Sequence, residues 1–319
     1  MRKHLRLSVL ALAAMFAGGA YAQHYNDLGL TDDDNLLKDV NTPESAHEHL
    51  WVFGWDDEPD LDEAAEDNGL NSQEEKDRMY KLIDGNSGTY VSSDWSRASN
   101  DNTLKQFLDV YLDERVSGPM IAWILRADKG NSHVEEMDIY ASDGSATKYG
   151  MLAGGDGWDD SKIRHEGTAD FKGWEYVDHV SVSNPTALAD GLTDLFTLEK
   201  PYKYLRFVWT KCKDKPNRPN SSHMAEFKLF NLTEEQAAPI QLKSDYARYA
   251  EYLEKDPETF MGTDYYKYSD RDSYNSFMED LKNVNDFVNN GKELRNDQAL
   301  ALHSSVNANY QKLMESQVL

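Results

Sequence analysis

The chain has 319 residues and a net charge of −24, from 57 acidic and 33 basic side chains. A field of this sign repels the phosphates of nucleic acids and anionic lipid surfaces, which excludes both as expected partners and leaves cations, neutral ligands or a basic protein surface. Cys212 is the only cysteine, so the chain forms no internal disulfide, and its length allows one large domain or two smaller ones.

The first 22 residues have the composition of an export signal. A basic start precedes a short apolar run over 7–17, and the small residues Ala20 and Ala22 form a cleavage site. We therefore expect cleavage after Ala22 and a secreted, periplasmic or cell-surface protein, whose mature chain has 30 basic and 57 acidic residues and a net charge of −27. The apolar run is too short to span a bilayer and no later segment is long enough, so no membrane span is expected.

Residues 23–75 form an acidic N-terminal segment with weak periodicity. His47 and His49 flank a glutamate, but their spacing differs from the helical i, i+4 pair of a zinc hydrolase. The aromatic residues at 51, 53 and 55 alternate as they do in a strand. The favoured interpretation is a segment laid across the next domain with its aromatic side chains on apolar surface; a metal site is the alternative.

Residues 76–232 change to short runs rich in β-branched and aromatic residues, separated by Gly, Asn and Asp. Several short strands with turn signals between them predict an all-β sandwich or barrel. The candidate strands cover 105–112, 119–126, 134–141, 174–182, 202–211 and 224–230.

An oxygen-rich turn opens this β region. Asp84, Asn86 and Thr89 offer hard oxygen ligands, and neighbouring glycines let the backbone fold around a point. Calcium takes about 6–8 oxygens, so three are too few and a further ligand must come from elsewhere in the chain. A polar turn with no ion is the other interpretation, because Asp, Gly and Asn favour turns for conformational reasons.

Residues 233–319 have helical periodicity. Thr233 with Gln236 is a capping signal, and three apolar stripes at helical spacing come after it. They predict a small antiparallel helical bundle packed on the β domain. The stripes comprise residues 242, 246, 249 and 253, then 274, 277, 281, 284 and 287, then 294, 300, 302, 306, 310 and 313.

The motifs of the β region resemble those of discoidin (coagulation-factor C-type) domains and of the related galactose-binding-like carbohydrate-binding modules. The matching landmarks occur in the family's order over about half of the chain. They lie at 82–86 with Thr89, 93–96, 107–113, 137–144, 204–208 and 224–230. The resemblance implies a mainly β fold with an α appendage, in which a discoidin-like jelly-roll β-sandwich over 76–232 is followed by the helical bundle over 233–319.

The resemblance also implies a structural calcium ion and supplies the ligands that the opening turn lacks. In this family the ion is held by the opening turn, a preceding main-chain carbonyl and an Ala-Glu pair near the last strand. Carried over residue by residue, the ligands are the carbonyl of Lys81, Asp84, Asn86, Thr89, the carbonyl of Ala225, and Glu226. Such an ion would join the first and last parts of the sandwich.

The resemblance further implies a sugar pocket on loops at one end of the sandwich. The matching positions hold Ser92, Trp95, Arg126 and Asn131, and His223 could add a contact from the closing loop. Ser92 departs from the histidine of the family's galactose binders, which leaves galactose specificity open. A polar interior for Arg126 and a core position for Trp95 are the structural alternatives.

These features predict an exported, non-catalytic protein that binds a glycan or glycoconjugate. The alternative is a cell-surface adhesion or assembly module that binds a protein partner through the helical region and uses the sandwich as a scaffold. No catalytic arrangement is recognised in the sequence, so no enzyme activity is expected; a glycan-active enzyme with unrecognised catalytic groups is the third alternative.

Overall fold

The computed structural model describes residues 25–53, 73–92, 107–126, 133–143, 173–182, 191–212, 223–254, 267–268 and 271–318. The predicted export signal, 1–22, lies outside these ranges. Contacts divide the chain into two units. A β unit contains the described residues of Ala22–Gln241 with Arg295–Leu300, and a helical unit contains those of Leu242–Leu294 and Ala301–Leu319.

Antiparallel strands make up most of the β unit. Six of them have the order β2-β8-β3-β7-β4-β5, and β1 and β6 also pair with β3. Two short helices, α1 (Pro43–His49) and α2 (Gln73–Tyr80), precede the second strand. The strands are β1 (Leu50–Phe53), β2 (Val91–Ser92), β3 (Phe107–Arg126), β4 (Val134–Ser142), β5 (Glu175–Ser181), β6 (Gly191–Leu192), β7 (Phe196–Cys212) and β8 (His223–Asn231).

Strand β3 determines how the sheet bends. The runs predicted as separate strands over 105–112 and 119–126 form one continuous strand, whose register against β7 shifts on either side of Val116. Gly118, with a φ of +100°, lies in this bend. Bulges bend a strand without ending its pairing. The first part of β3 therefore pairs with β1 and β7, and beyond the bend the last part pairs with β8 and β6.

Side chains on both faces of β3 and β8 are buried. One face belongs to the main core, where the ring of Phe207 lies 5.2 Å from that of Phe227. The opposite face carries Trp123 and Phe230, and the ring of Tyr25 packs on both at centroid distances of 5.3 and 5.1 Å. The N-terminal segment therefore covers part of the outer face of the sheet.

Most residues of the predicted apolar stripes lie on helices of the helical unit, whereas Leu294 lies in the link before the last helix and Leu300 belongs to the β unit. Tyr274, Phe277, Leu281 and Val284 are all buried. The Asp280 carboxylate accepts hydrogen bonds from Ser305 and Asn309, both at 2.7 Å, so the two long helices run antiparallel across a short link. The elements are α3 (Glu234–Tyr249), which begins in the β unit, α4 (Glu251–Glu254), α5 (Arg271–Asn289), α6 (Asn296–Glu315), and the paired strands β9 (Lys267–Tyr268) and β10 (Gln317–Val318).

The predicted fold class, mainly β with a helical appendage, is confirmed. The predicted cap at Thr233 is present as well: Gln236 N donates to Thr233 Oγ1, and Thr233 N donates to Gln236 Oε1 at 2.9 Å. None of the helices in the described part of the chain combines the length and the apolar character that a membrane crossing requires.

Candidate functional site

The oxygen-rich turn begins directly after the end of α2. Three i to i−3 hydrogen bonds tighten the chain over 78–83, and Gly85 then takes a φ of +73°, which glycine adopts without strain. Asp84 organises the rest of the turn, because one of its oxygens accepts from Asn86 N at 2.8 Å and the other from Thr89 Oγ1 at 2.6 Å. The predicted ligands Asp84, Asn86 and Thr89 therefore lie in one compact turn.

Strand β8 brings Glu226 to this turn across 140 residues of sequence. Asn86 N donates to Glu226 Oε1 at 2.8 Å, and Phe227 N donates to the carbonyl of Leu82 at 2.8 Å. The register between β3 and β8 shifts by one residue at Ala225. Such a bulge takes a residue out of the regular ladder, so the predicted carbonyl ligand lies where the strand departs from ideal pairing.

The pKa of the Glu226 carboxyl is shifted by its surroundings at this turn. Glu226 is only 4% exposed. Its burial, and then the nearby charge of Asp84, raise the pKa of the Glu226 carboxyl to about 7, although Asn86 N–H and Gly85 N–H hydrogen bonds oppose the shift. A proton on Glu226 or a cation bound beside it would relieve the repulsion from Asp84.

The donors at this site are of the kind that calcium binds. Two carboxylates, an amide oxygen and a hydroxyl are hard oxygen ligands, whereas zinc sites in proteins usually include His or Cys. In the described residues no group of three or more His, Cys, Asp and Glu side chains could hold a metal ion. A cation here would therefore depend on the neutral oxygens of Asn86, Thr89 and the main chain as well as on the acids.

His47 and His49 do not form a shared metal site. Both lie in α1, where the ring of His47 is buried 6.1 Å from that of Trp51. The His49 ring instead contacts the Ser45 carbonyl and the carboxylate of Asp113. The alternative metal interpretation of this pair is therefore wrong.

The predicted sugar-contact residues are only partly described. Ser92 pairs with His223, and Arg126 pairs with Met224, so the backbone brings Ser92, Arg126 and His223 to the same end of the sheet. The ring of His223 packs edge-on against Tyr90 at 5.1 Å. Trp95 and Asn131 lie outside the described residues, as do the side chains of Ser92 and Arg126.

Sequence reasoning missed the main-chain donors of the turn. Gly85 N–H and Asn86 N–H both bind Glu226, which fixes its carboxylate against Asp84. The available signal was the Asp-Gly-Asn sequence, because a glycine at positive φ turns successive N–H groups toward one point. The predicted set of side-chain and carbonyl oxygens therefore lacked the N–H groups that hold the Glu226 carboxylate in place.

No protein-family model and no curated protein matches the chain. Among solved structures, the chain is similar to a CBM32 module of a family 31 glycoside hydrolase from Clostridium perfringens, with 15% identity and a TM-score of 0.36 over 59% of this chain and 94% of that one. It is also similar to the family 32 module of C. perfringens NanJ in complex with galactose, with 13% identity and a TM-score of 0.32 over 57% of this chain and 92% of that one.

A third similar structure is chitosan-binding module 1 of a chitosanase/glucanase from Paenibacillus sp. IK-5, with 16% identity and a TM-score of 0.30 over 62% of this chain and 98% of that one. These modules are of the discoidin and galactose-binding-like type that the sequence motifs resemble. Identities and TM-scores this low transfer neither a ligand nor a binding site to this chain.

Proposed function

We propose that this chain is an exported, non-catalytic carbohydrate-binding protein whose β unit is stabilised by a calcium ion. The observation that carries the proposal is the convergence of Asp84 and Glu226, which are 142 residues apart in sequence, on one turn with further oxygen donors. It is the arrangement that the family resemblance implies. The sugar-binding part of the proposal rests on that resemblance and on residues at the same end of the sheet.

Calcium would be held by the two carboxylates and by neutral oxygens around them. When bound, the ion would neutralise the Asp84 and Glu226 charges and tie the turn after α2 to strand β8, which stabilises the folded state because the unfolded chain does not hold these ligands together. The ligands in this proposal are the Lys81 carbonyl, Asp84, Asn86, Thr89, the Ala225 carbonyl and Glu226.

The glycan would bind where β2, the end of β3 and the start of β8 meet. Arg126 and Asn131 would hydrogen-bond ring hydroxyls, and Trp95 would contact the C–H face of a sugar. Ser92 and His223, which pair between β2 and β8, would contribute further polar contacts. Export is part of the proposal because residues 1–22 have the composition of a cleaved signal.

Glycan-array binding of the mature chain in calcium-containing buffer tests this function. We expect binding to a subset of neutral glycans without turnover, loss of binding in Trp95→Ala and Arg126→Ala, and retention in Tyr176→Ala. Tyr176 is a suitable control because it is an exposed aromatic residue on the edge strand β5. Failure of the wild-type chain to bind any glycan, or hydrolysis of the bound glycan, would overturn the proposal.

A further inference from the structure

A cavity of about 570 Å³ lies on the outer face of the β unit, within the described residues. Its floor is the face of β3 and β8 that carries Leu125 and Glu226, and its sides are the N-terminal residues 32–41 and the turn at 83–85. We call it the N-terminal cleft. Ligand pockets in proteins measure about 300–1,000 Å³, so the cleft has room for a small ligand.

One end of the cleft is closed by a contact that fixes the N-terminal segment. Lys228 Nζ donates to Tyr25 Oη at 2.9 Å and to the carboxylate of Asp32, and it lies 5.1 Å from the ring centre of Trp123. The ammonium of Lys228 is thereby paired with a carboxylate. The cleft continues from Lys228 toward Leu125 and Glu226, which lie further along the same face of the sheet.

The remaining surface of the cleft combines an apolar floor with polar sides. Leu125 and Ile83 are half-buried apolar side chains, whereas Asp33, Lys38 and Asn41 are exposed on the N-terminal segment. A carboxylate accepts hydrogen bonds, an ammonium donates them, and an amide does both. A ligand that fits must offer donors and acceptors at its edges and a C–H surface on one side.

The charges of the lining favour a neutral ligand. Lys228 is paired with Asp32, whereas Lys38 donates to the main-chain carbonyl of Asp33 at 2.7 Å and brings a positive charge to the same segment as the Asp33 carboxylate. Asp84 and Glu226 are the carboxylates assigned to calcium under the proposed function. With that ion bound, the formal charges of the lining residues sum to zero, which favours neither a phosphorylated ligand nor an organic cation, whereas sugar hydroxyls match the mixed donors and acceptors.

We propose that the N-terminal cleft is a second binding site for a neutral sugar, distinct from the loop site that contains Trp95 and Arg126. The inference rests on the proposed carbohydrate-binding function and adds a location that the family resemblance did not imply. A pyranose ring would lie with its C–H face on Leu125 and Ile83. Its hydroxyls would bind Asp33, Lys38 and Asn41.

Calorimetric titration of the mature chain with lactose, cellotriose and triacetylchitotriose, in calcium, tests the inference. The variants are Asp33→Ala, which removes an acceptor from the cleft, and Asn41→Trp, which fills it. Asp39→Ala is the matched control, because Asp39 is exposed on the same segment and outside the lining. Arg126→Ala is the comparison variant for the loop site.

We expect two binding events for the best of these glycans in the wild-type chain. Asp33→Ala should weaken one of them about tenfold, the order expected for loss of a hydrogen bond to a charged group. Asn41→Trp should abolish that same event, and Arg126→Ala should abolish only the other. Asp39→Ala should leave both unchanged.

The inference and the proposed function fail in different ways. One binding event that Arg126→Ala abolishes and the cleft variants leave unchanged would overturn the second site and leave the proposed function standing. No binding of any glycan by the wild-type chain, on the array or by calorimetry, would overturn both.

Discussion

Replacing Arg206 by methionine should destabilise the β unit strongly, because Arg206 is the ionic partner of a carboxylate deep in the sheet. Its guanidinium donates to both oxygens of Asp109, at 2.6 and 2.7 Å, across β3 and β7. The two side chains are 3% and 1% exposed. The guanidinium also lies 3.8 Å from the ring centre of Phe107.

The expected cost comes from this burial. Removing one partner of a buried ion pair leaves the other charge uncompensated, which costs about 3–5 kcal/mol in the free energy of unfolding. Replacing both charged residues by apolar residues of similar volume often leaves the free energy of unfolding nearly unchanged. The variant Asp109→Leu with Arg206→Met should therefore recover much of the stability that Arg206→Met loses.

The cost of Arg206→Met should also rise with pH. Burial raises the pKa of the Asp109 carboxyl, and Arg206 opposes that rise in the wild-type protein. Without Arg206 the folded state holds the proton more tightly than the unfolded state does. Stability is then retained below the unfolded pKa of about 4 and lost as pH increases toward the folded pKa, at up to about 1.4 kcal/mol per pH unit.

Urea denaturation followed by tryptophan fluorescence measures this effect in the β unit, because all seven tryptophans precede residue 242. The matched control is Lys200→Met, which breaks a 2.7 Å ion pair with Glu175 whose side chains are 51% and 55% exposed. Exposed pairs contribute little, so this control should unfold like the wild type. A similarly small change for Arg206→Met, or a double variant less stable than the single one, would refute the reasoning.

Three further substitutions test local parts of the structure. Lys228→Met removes the partner of Asp32 and Tyr25, so limited proteolysis should cut the N-terminal segment faster than in Lys200→Met; equal rates would contradict the contact. Tyr249→Phe removes the 2.8 Å hydrogen bond to Asn307. The free energy of unfolding of the helices, measured by far-UV circular dichroism, should fall by about 1 kcal/mol. An unchanged free energy would show that water replaces the lost hydrogen bond. Gly85→Ala places a side chain at a φ of +73°, where no atom lies within 4 Å of the new Cβ. The free energy of unfolding should therefore fall by about 1 kcal/mol through backbone strain alone. An unchanged free energy of unfolding in urea denaturation would contradict the observed turn.

The sequence predicted the elements with strong local signals. The helix start at Thr233 and the buried stripe from Tyr274 to Val284 depend on residues three and four apart, which interact within one helix. The grouping of Asp84, Asn86 and Thr89 in one turn is local in the same sense. These features could be predicted because residues close together in the sequence determine them.

The features that sequence reasoning missed depend on contacts between distant residues. Nothing near Asp109 indicates that its partner is Arg206, 97 residues away. The continuity of β3 through Val116 depends on pairing with β7, since the intervening Gly and Ser favour a break locally. The cleft likewise involves distant residues, because Tyr25 and Asp32 meet Lys228 across about 200 residues beside it.

The proposed glycan site shows the limit of family resemblance. The pairing of β2 and β8 places Ser92 next to His223 in the sheet. A resemblance in motifs gives the sequence positions of candidate binding residues, whereas binding itself depends on the geometry of their side chains. Binding measurements on Trp95→Ala and Arg126→Ala are therefore the means of assigning this site.

The most direct test of the central claim is the melting temperature of the β unit in calcium and in chelator, for the wild-type chain and for Glu226→Gln. Calcium at 100 times its dissociation constant should stabilise the wild type by about 2.7 kcal/mol relative to chelator. Glu226→Gln should lose this difference, and Glu175→Gln, on the exposed surface, should retain it. A wild-type melting temperature that is the same in calcium and in chelator would contradict the account.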